Sequence, residues 1–356
     1  MRKQLRIKKG LVAGLLAAVA LAGCGSESDK DSKGGAVEKS GEKVTLRLGY
    51  FPNITHAPAL VGVEKGIFAE KLGSNVTLQT SAFNAGPAAV EAIFNGAIDA
   101  TYIGPNPAIN AFAKSNGEAI RIISGATSGG AYLVVNPSIT SPAGLKGKKI
   151  ATPQLGNTQD VALRSWLKAN NLKSDVQGGG DVSIVPQENA QALEAFKTGT
   201  IHGAWVPEPW ATRMIQEGKG KVLVDEKTLW PGGQYVTTHV IVRTAFLNEN
   251  PDAVKKLLEG HVAAVDFANG NPAEAKALVN QGLQKLTGKG IAPALIDSAW
   301  PNMTFTYDPI AASLRKGAED AKSVGLLDSK TKLDGIYDLT RLNEVLKAAG
   351  KPEVKS

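Results

Sequence analysis

Residues 89–107 read AVEAIFNGAIDATYIGPNP, and the same pattern returns 103 residues later, at 192–210, as ALEAFKTGTIHGAWVPEPW. Ala89, Glu91, Ala92, Gly96 and Ile98 recur as Ala192, Glu194, Ala195, Gly199 and Ile201, and Tyr102-Ile103 is matched by Trp205-Val206. Each copy is a helical stretch stopped by glycine, then a short apolar strand, then a proline-rich loop. The loops are Gly104-Pro105-Asn106-Pro107 and Pro207-Glu208-Pro209-Trp210. A gapless repeat of this length implies two similar α/β lobes. In open α/β sheets, ligands bind outside the carboxyl ends of the strands, where loops present backbone N–H groups and helix N-termini. Two such lobes facing each other place two loop sets around one cleft.

The alternation of strand and helix extends in both directions from the repeat, with glycine or proline at the junctions. Val44 to Tyr50 (VTLRLGY) reads as a strand, Phe51 to His56 as a turn, and Ala59 to Lys65 as a helix stopped at Gly66. Val76 to Thr80, Ile120 to Ser124 and Tyr132 to Val135 read as further strands, with a helix over Gly86 to Asn95. The alternation restarts after Asn136-Pro137, with strands at Lys149 to Thr152, Val182 to Val185, Val222 to Val224 and Thr238 to Val242, and helices at Gln159 to Asn170 and Ala190 to Thr198. From Pro251 onward the pattern is almost entirely helical.

Ahead of all this stands a different kind of segment. Arg2, Lys3, Arg6, Lys8 and Lys9 form a basic head, Leu11 to Ala22 an apolar run too short for a span of about 20 residues, and Leu21-Ala22-Gly23-Cys24 a small-residue cleavage site. These are the parts of a secretory signal peptide over residues 1–23, and Leu-Ala-Gly-Cys resembles the lipobox of bacterial lipoproteins, which makes Cys24 the lipidated first residue of the mature chain. Removal of the leader lowers the formal charge from +7 to +2, which leaves no electrostatic case for nucleic-acid binding. Cys24 is the sole cysteine, so the exported domain has no disulfide and relies on its core. Residues 25–42 (GSESDKDSKGGAVEKSGE) have no apolar periodicity and read as a tether, part of a non-globular stretch over 24–43. A flexible chain of that length spans roughly 20–25 Å.

Gly49-Tyr50-Phe51-Pro52, Glu64-Lys65-Gly66-Ile67-Phe68, the segment NGAIDATYIGP and Gly203 to Trp210 (GAWVPEPW) together resemble the solute-binding proteins of nitrate, taurine and aliphatic sulfonate ABC importers. The resemblance covers roughly residues 44–260. It implies a two-lobed periplasmic-binding-protein fold of type II, in which two Rossmann-like lobes joined by two crossover strands close on a small solute. On this reading lobe I comprises 44–136 plus 243–356 and lobe II 137–242, with Tyr132 to Asn136 and Val240 to Arg243 as the crossovers. It also implies partners: a permease and its ATPase, beside which a lipid-anchored, extracytoplasmic monomer works without a cofactor or metal.

The candidate site residues lie in the loops between these elements. Gly156, Asn157, Thr158 and Gln159 end a strand and open a helix, where Asn157 or Thr158 suits N-capping and small hydroxyl residues stand in the sulfonate and taurine relatives. Across the cleft, Asn53, Thr55 and His56 and the pair Pro105 and Asn106 are candidates to face a solute. The histidines are His56, His202, His239 and His261, and no two have metal-ligand spacing. Glu208 has two readings: facing the solute it selects a ligand amine, and bonded to its own lobe or to the opposite one it is silent about the solute. Trp205 reads as core and Trp210 as a cleft residue, while Thr127-Ser128-Gly129-Gly130 reads as a glycine-bearing loop before the first crossover.

Phosphate-loop, zinc-protease and esterase-elbow motifs are missing from the sequence. The expectation is a lipid-anchored receptor for a small organic anion, an aliphatic sulfonate above the alternatives of taurine, nitrate, a sulfate ester or a pyrimidine precursor. A small-molecule enzyme on the same fold is the alternative from another class.

Overall fold

A computed structural model of the protein describes residues 43–356. The expected leader, Cys24 and the tether as far as residue 42 lie outside the described residues. In chain order the strands are β1 (Val44–Tyr50), β2 (Val76–Ala82), β3 (Ala100–Ile103), β4 (Ile120–Gly129), β5 (Ala131–Val135), β6 (Lys149–Thr152), β7 (Ser183–Pro186), β8 (Gly203–Pro207), β9 (Lys221–Asp225), β10 (Val236–Arg243) and β11 (Met303–Phe305). The helices are α1 (Ala57–Glu64), α2 (Ile67–Leu72), α3 (Gly86–Phe94), α4 (Pro105–Lys114), α5 (Thr158–Ala169), α6 (Asn189–Lys197), α7 (Trp210–Gln216), α8 (Thr244–Glu249), α9 (Pro251–Gly270), α10 (Pro272–Thr287), α11 (Pro293–Ala299), α12 (Ala311–Ser323) and α13 (Thr340–Ala348).

The strands form two sheets, ordered β11-β4-β10-β3-β1-β2 and β7-β6-β8-β5-β9. Apart from β11, which has no counterpart, their topologies match strand for strand. In the first, β1 runs parallel to β2 and β3 while β10 is antiparallel to β3 and β4. In the second, β6 runs parallel to β7 and β8 while β5 is antiparallel to β8 and β9. The antiparallel strand of each sheet arrives from the other lobe: β5 follows β4, and β10 follows β9. The sequence repeat is the local expression of this symmetry, because α3 and β3 occupy the place in one lobe that α6 and β8 occupy in the other. Even the helix ends agree. The N–H groups of Ala97 and Ile98 both donate to the carbonyl of Ala92, and those of Thr200 and Ile201 to that of Ala195.

The crossings themselves differ from expectation. Tyr132 to Val135 pairs with β8 and β9 inside the second sheet, and Val240 to Arg243 pairs with β3 and β4 inside the first. The chain passes between sheets at Gly129-Gly130 and again over 226–235, so the boundaries expected at 136 and 243 fall one strand too late on the way out and on the way back. A continuous apolar run is what a doubly buried strand requires, and nothing in such a run separates a crossover from a central strand. Gly129 and Gly130 have φ of 82° and 77°, and a Cβ on either would lie within 2.8 Å of Asn302 or Met303. Two consecutive left-handed residues at a close approach restrict the first crossing to glycine. The stretch from Thr127 to Gly129, read as loop, continues β4, and the proline-rich segment after Gly104 is the first turn of α4, with Pro105 at the position where a missing N–H costs nothing.

Both sheets are covered on both faces. One face of the first packs against α1, α2, α9 and α10 through Leu60, Phe68, Leu257, Val265 and Leu283, and the other against α3, α4 and α12 through Ile93, Ile109 and Leu314. The second sheet buries Leu163 and Leu167 of α5 on one side and Leu193, Phe196 and Met214 of α6 and α7 on the other. At the non-site end of β3, the buried carboxylate of Asp99 accepts from Arg47 and Arg243, at 2.7 and 2.9 Å for the closest guanidinium contacts. That pairing holds its carboxyl below its usual range against the opposing effect of burial.

Candidate functional site

The carboxyl ends of β1, β2 and β3 face those of β6, β7 and β8 across a cavity of about 20 Å³. Asn53 and His56 follow β1, Asn84 follows β2 and Gly104 follows β3; Asn157 and Thr158 follow β6, Asn189 follows β7 and Pro207 ends β8. Four helices begin there. His56, Gly104 and Asn157 are the residues that precede α1, α4 and α5, and Asn189 is the first residue of α6. Each helix N-terminus carries unpaired N–H groups and roughly half a positive charge. No Lys, Arg, Asp or Glu side chain lines the cavity, so the groups at its surface are backbone dipoles and neutral side chains.

The side chains add directed donors. The N–H of Phe51 donates to Nδ1 of His56 at 3.3 Å, and the two rings stack with centroids 4.5 Å apart. Nδ1 is thereby an acceptor, which puts the proton of the neutral imidazole on Nε2. Burial lowers the His56 imidazole to about 3, so it is neutral across the physiological range. Thr158 is 6% exposed and its hydroxyl has no hydrogen-bond partner in the protein; the amide oxygen of Asn189, at 7%, also has none. Buried polar atoms without partners cost about 1–3 kcal/mol each, so both atoms at this cavity wall are free to bond a group placed in the cavity.

The loops carrying these groups are fixed from behind. The carbonyl of Thr55 accepts from the hydroxyls of Thr127 and Thr238 at 2.7 and 3.0 Å, which clamps the turn before α1 to β4 and β10. Beneath the start of α5, the buried carboxylate of Asp160 accepts from Thr152 Oγ1, the Gly156 N–H and Arg164 Nε at 2.9, 3.0 and 3.0 Å. Gly104 brings the lobes together: a Cβ there would stand 2.3 Å from Thr158 Oγ1.

Of the residues expected at the site, Asn53, Thr55, His56, Asn157, Thr158 and Gln159 line this cavity. The others do different work. Asn106 turns away and donates to the Gly317 carbonyl on α12 at 3.1 Å, and Pro105 only opens α4. Gly156, at φ 77°, shapes the loop and donates to Asp160. Glu208 does not line the cavity: its carboxylate accepts from the N–H and hydroxyl of Thr212 in its own lobe and from Asn302 Nδ2 in the other, at 3.0, 2.9 and 2.7 Å. It is a lobe-to-lobe tie, which leaves it no bearing on a ligand amine. Trp210 lies outside the cavity and donates to Asn53 Oδ1 at 2.8 Å, and Asn84 donates to Glu188 at 2.8 Å, two more ties across the cleft. His202, His239 and His261 serve the fold, bonded to Lys149 N–H, the Pro309 carbonyl, and the Gly125 carbonyl with Tyr102 Oη respectively. Asn84, Asn189, Thr237 and Thr238 escaped the sequence reading. The signal that could have found the first two is positional, since each follows a parallel strand by a few residues.

Two sheets of matching topology, joined by two crossings and meeting around a polar cavity, define the class of two-lobed binding proteins that close on a small molecule. The family model for the NMT1-like family matches residues 39–282, and the chain belongs to that family. It is 27% identical to the taurine-binding periplasmic protein of Escherichia coli K12 over 60% of this chain and 64% of that one. Among solved structures it is similar to the periplasmic nitrate-binding protein of Synechocystis PCC 6803, with a TM-score of 0.74 at 19% identity over 87% and 90% of the two chains. The alkanesulfonate-binding protein of Xanthomonas axonopodis pv. citri bound to MOPS is also similar, with a TM-score of 0.66 at 18% identity over 82% and 96%. Those structural likenesses concern the fold.

Proposed function

We propose that the protein is the extracytoplasmic solute-binding component of an ABC importer, and that it holds the anionic head of a small organic solute in the cavity between its lobes. The observation that carries this reading is the convergence of four helix N-termini with an unpartnered Thr158 hydroxyl and a neutral, Nε2-protonated His56, on a cavity without a formal charge. Such a set stabilises a bare anion without burying a cation, whose desolvation would cost several kcal/mol. The same field opposes a positively charged solute. The cavity also lacks a carboxylate, lysine or cysteine that could act as nucleophile or general base, which favours binding over chemistry.

Solute that touches both lobes favours the closed arrangement over an open one, the population shift of a hinged receptor. The Asn53–Trp210, Asn84–Glu188 and Glu208–Asn302 bonds are contacts the closed arrangement adds. In this reading the leader directs export, Cys24 carries the lipid and the tether holds the receptor beside a permease and its ATPase. Mass spectrometry of the membrane fraction should then find a lipid on Cys24 and no residue before it.

The head group is tested by a thermal-shift screen of sulfonates, taurine, nitrate, bicarbonate and sulfate esters on the wild type. A ligand at about 100 times its dissociation constant should stabilise by about 2.7 kcal/mol. Replacing Asn157 and Thr158 together by Ala should weaken the best ligand by about tenfold or more in calorimetry, or about 1.4 kcal/mol. Unchanged affinity in the double variant removes the start of α5 from the site.

A further inference from the structure

The 103-residue repeat runs on into both crossings. Gly129-Gly130-Ala131-Tyr132 on the way out is answered at the same offset by Gly232-Gly233-Gln234-Tyr235 on the way back. The two segments lead into β5 and β10, which hold equivalent places in the two sheets. All four glycines are left-handed, with φ of 82°, 77°, 61° and 71° in chain order, and both tyrosines are buried.

The two glycine pairs are packed very differently. A Cβ on Gly129 would stand 2.8 Å from the Asn302 carbonyl oxygen, and one on Gly130 would stand 2.5 Å from Met303 Cγ. Neither residue can turn without displacing the start of β11. On the return crossing, a Cβ on Gly232 would meet no described atom within 4 Å, and one on Gly233 only Lys227, at 3.9 Å. A chamber of about 330 Å³ touches both pairs and leaves the return loop room to move.

The ends of that loop are fixed to opposite lobes. Glu226 accepts from Trp205 Nε1 of lobe II at 2.7 Å, and the Val236 N–H donates to Ser313 Oγ of α12 in lobe I at 3.0 Å. Between these points the N–H groups of Gly233 and Gln234 donate only within the loop, to the carbonyls of Trp230 and Pro231. Relative rotation of two lobes is absorbed by dihedral changes at a few residues of the segments that join them. From the unequal packing, and resting on the receptor reading above, we infer that this rotation is concentrated at Gly232-Gly233, with Gly129-Gly130 as a packed pivot. Gly232 and Gly233 are then positioning residues. They touch no solute, yet they set the balance of open and closed arrangements and scale the affinity for every solute alike. Glycine passes between positive and negative φ without steric cost, whereas a side chain penalises the left-handed form. A side chain at 232 therefore opposes the closed arrangement, in which φ is 61°.

Calorimetry on the full chain tests this by comparing Gly232→Ala with Gly199→Ala. Gly199, at φ 75° between α6 and β8, likewise has no described atom within 4 Å of an added Cβ, so the two substitutions carry the same kind of local backbone penalty. Both variants should melt below the wild type. Gly232→Ala should also bind more weakly by roughly tenfold, and by one factor for each of nitrate, bicarbonate, taurine and butanesulfonate that the wild type accepts. Gly199→Ala should stay within about twofold of the wild type. Gly232→Asn, whose side chain tolerates the left-handed region, should recover much of the loss. If Gly232→Ala fails to fold, Gly233→Ala carries the comparison with Gly199→Ala. Equal affinity in the return-crossing and Gly199 variants overturns the inference. So does a loss that differs from solute to solute, which would place the crossing in contact with the ligand. If none of the four compounds binds the wild type, the receptor reading fails and this inference falls with it.

Discussion

At the scale of single residues, His56 sets the electrostatic character of the site. Its ring is held by the Phe51 N–H on one side and by stacking on the other, and burial keeps it neutral down to about pH 3. A histidine that gained a proton near neutrality would tighten anion binding on acidification. This one should not: the dissociation constant of the anionic solute is expected to stay within about twofold between about pH 5.5 and 8, provided that the solute itself does not titrate. A tenfold tightening toward pH 5.5 in calorimetry would show that His56 titrates in the complex.

At the scale of elements, the approach of α4 to α5 decides whether the lobes can meet. Gly104 precedes α4 and Thr158 opens α5, and a methyl group at Gly104 would overlap Thr158 Oγ1, with 2.3 Å between them. In Gly104→Ala, either the threonine rotates away from the cavity or the lobes stop short of contact. Either outcome should weaken solute binding by about tenfold or more, comparable to the loss of a buried hydrogen bond with its geometry. Small-angle scattering in saturating ligand distinguishes them, since only incomplete closure enlarges the particle. Wild-type affinity in Gly104→Ala would mean that the two helix ends separate when solute is bound.

At the scale of the whole molecule, the return crossing contains a titratable group that senses folding. Glu226 is buried and accepts from Trp205 Nε1 at 2.7 Å; burial pushes its carboxyl up to about 7, partly opposed by that bond. A carboxyl whose folded pKa exceeds its unfolded value binds more protons when folded, so its contribution is complete below the unfolded value and is lost as pH rises toward the folded one. The window here runs from about 4.5 to about 7. The buried imidazoles of His56, His239 and His261, lowered to about 3, 4 and 4, act in the opposite sense and lose stability as pH falls below their unfolded value of 6.5. Comparison of Glu226→Gln with the wild type isolates the first effect. The variant should gain about 1–3 kcal/mol relative to the wild type between pH 5 and pH 8 in urea unfolding. A pH-independent difference would mean that Glu226 is already ionised in the folded protein at pH 5.

Local chemistry in the chain determined a great deal here. The repeat at 89–107 and 192–210 declared two α/β lobes, because a helix stop, a buried strand and a proline-rich turn each need particular residues at particular spacings. Turns that open helices next to strand ends, such as Asn53 to His56 and Asn157 to Gln159, were visible for the same reason, and they do meet at one cavity. Tertiary structure alone decided which extended segments cross between sheets, since Tyr132 to Val135 of β5 and Val240 to Val242 of β10 are apolar like any central strand and only their pairing partners show which sheet each belongs to. It also decided the direction in which ambiguous polar side chains point. Asn106 and Glu208 sit in strand-end loops like the true lining residues, yet Gly317 and Asn302 claim their hydrogen bonds. Asn189, inconspicuous in a polar helix start, faces the cavity. The partners in each case lie between 94 and 211 residues away along the chain, a distance at which no local pattern carries information.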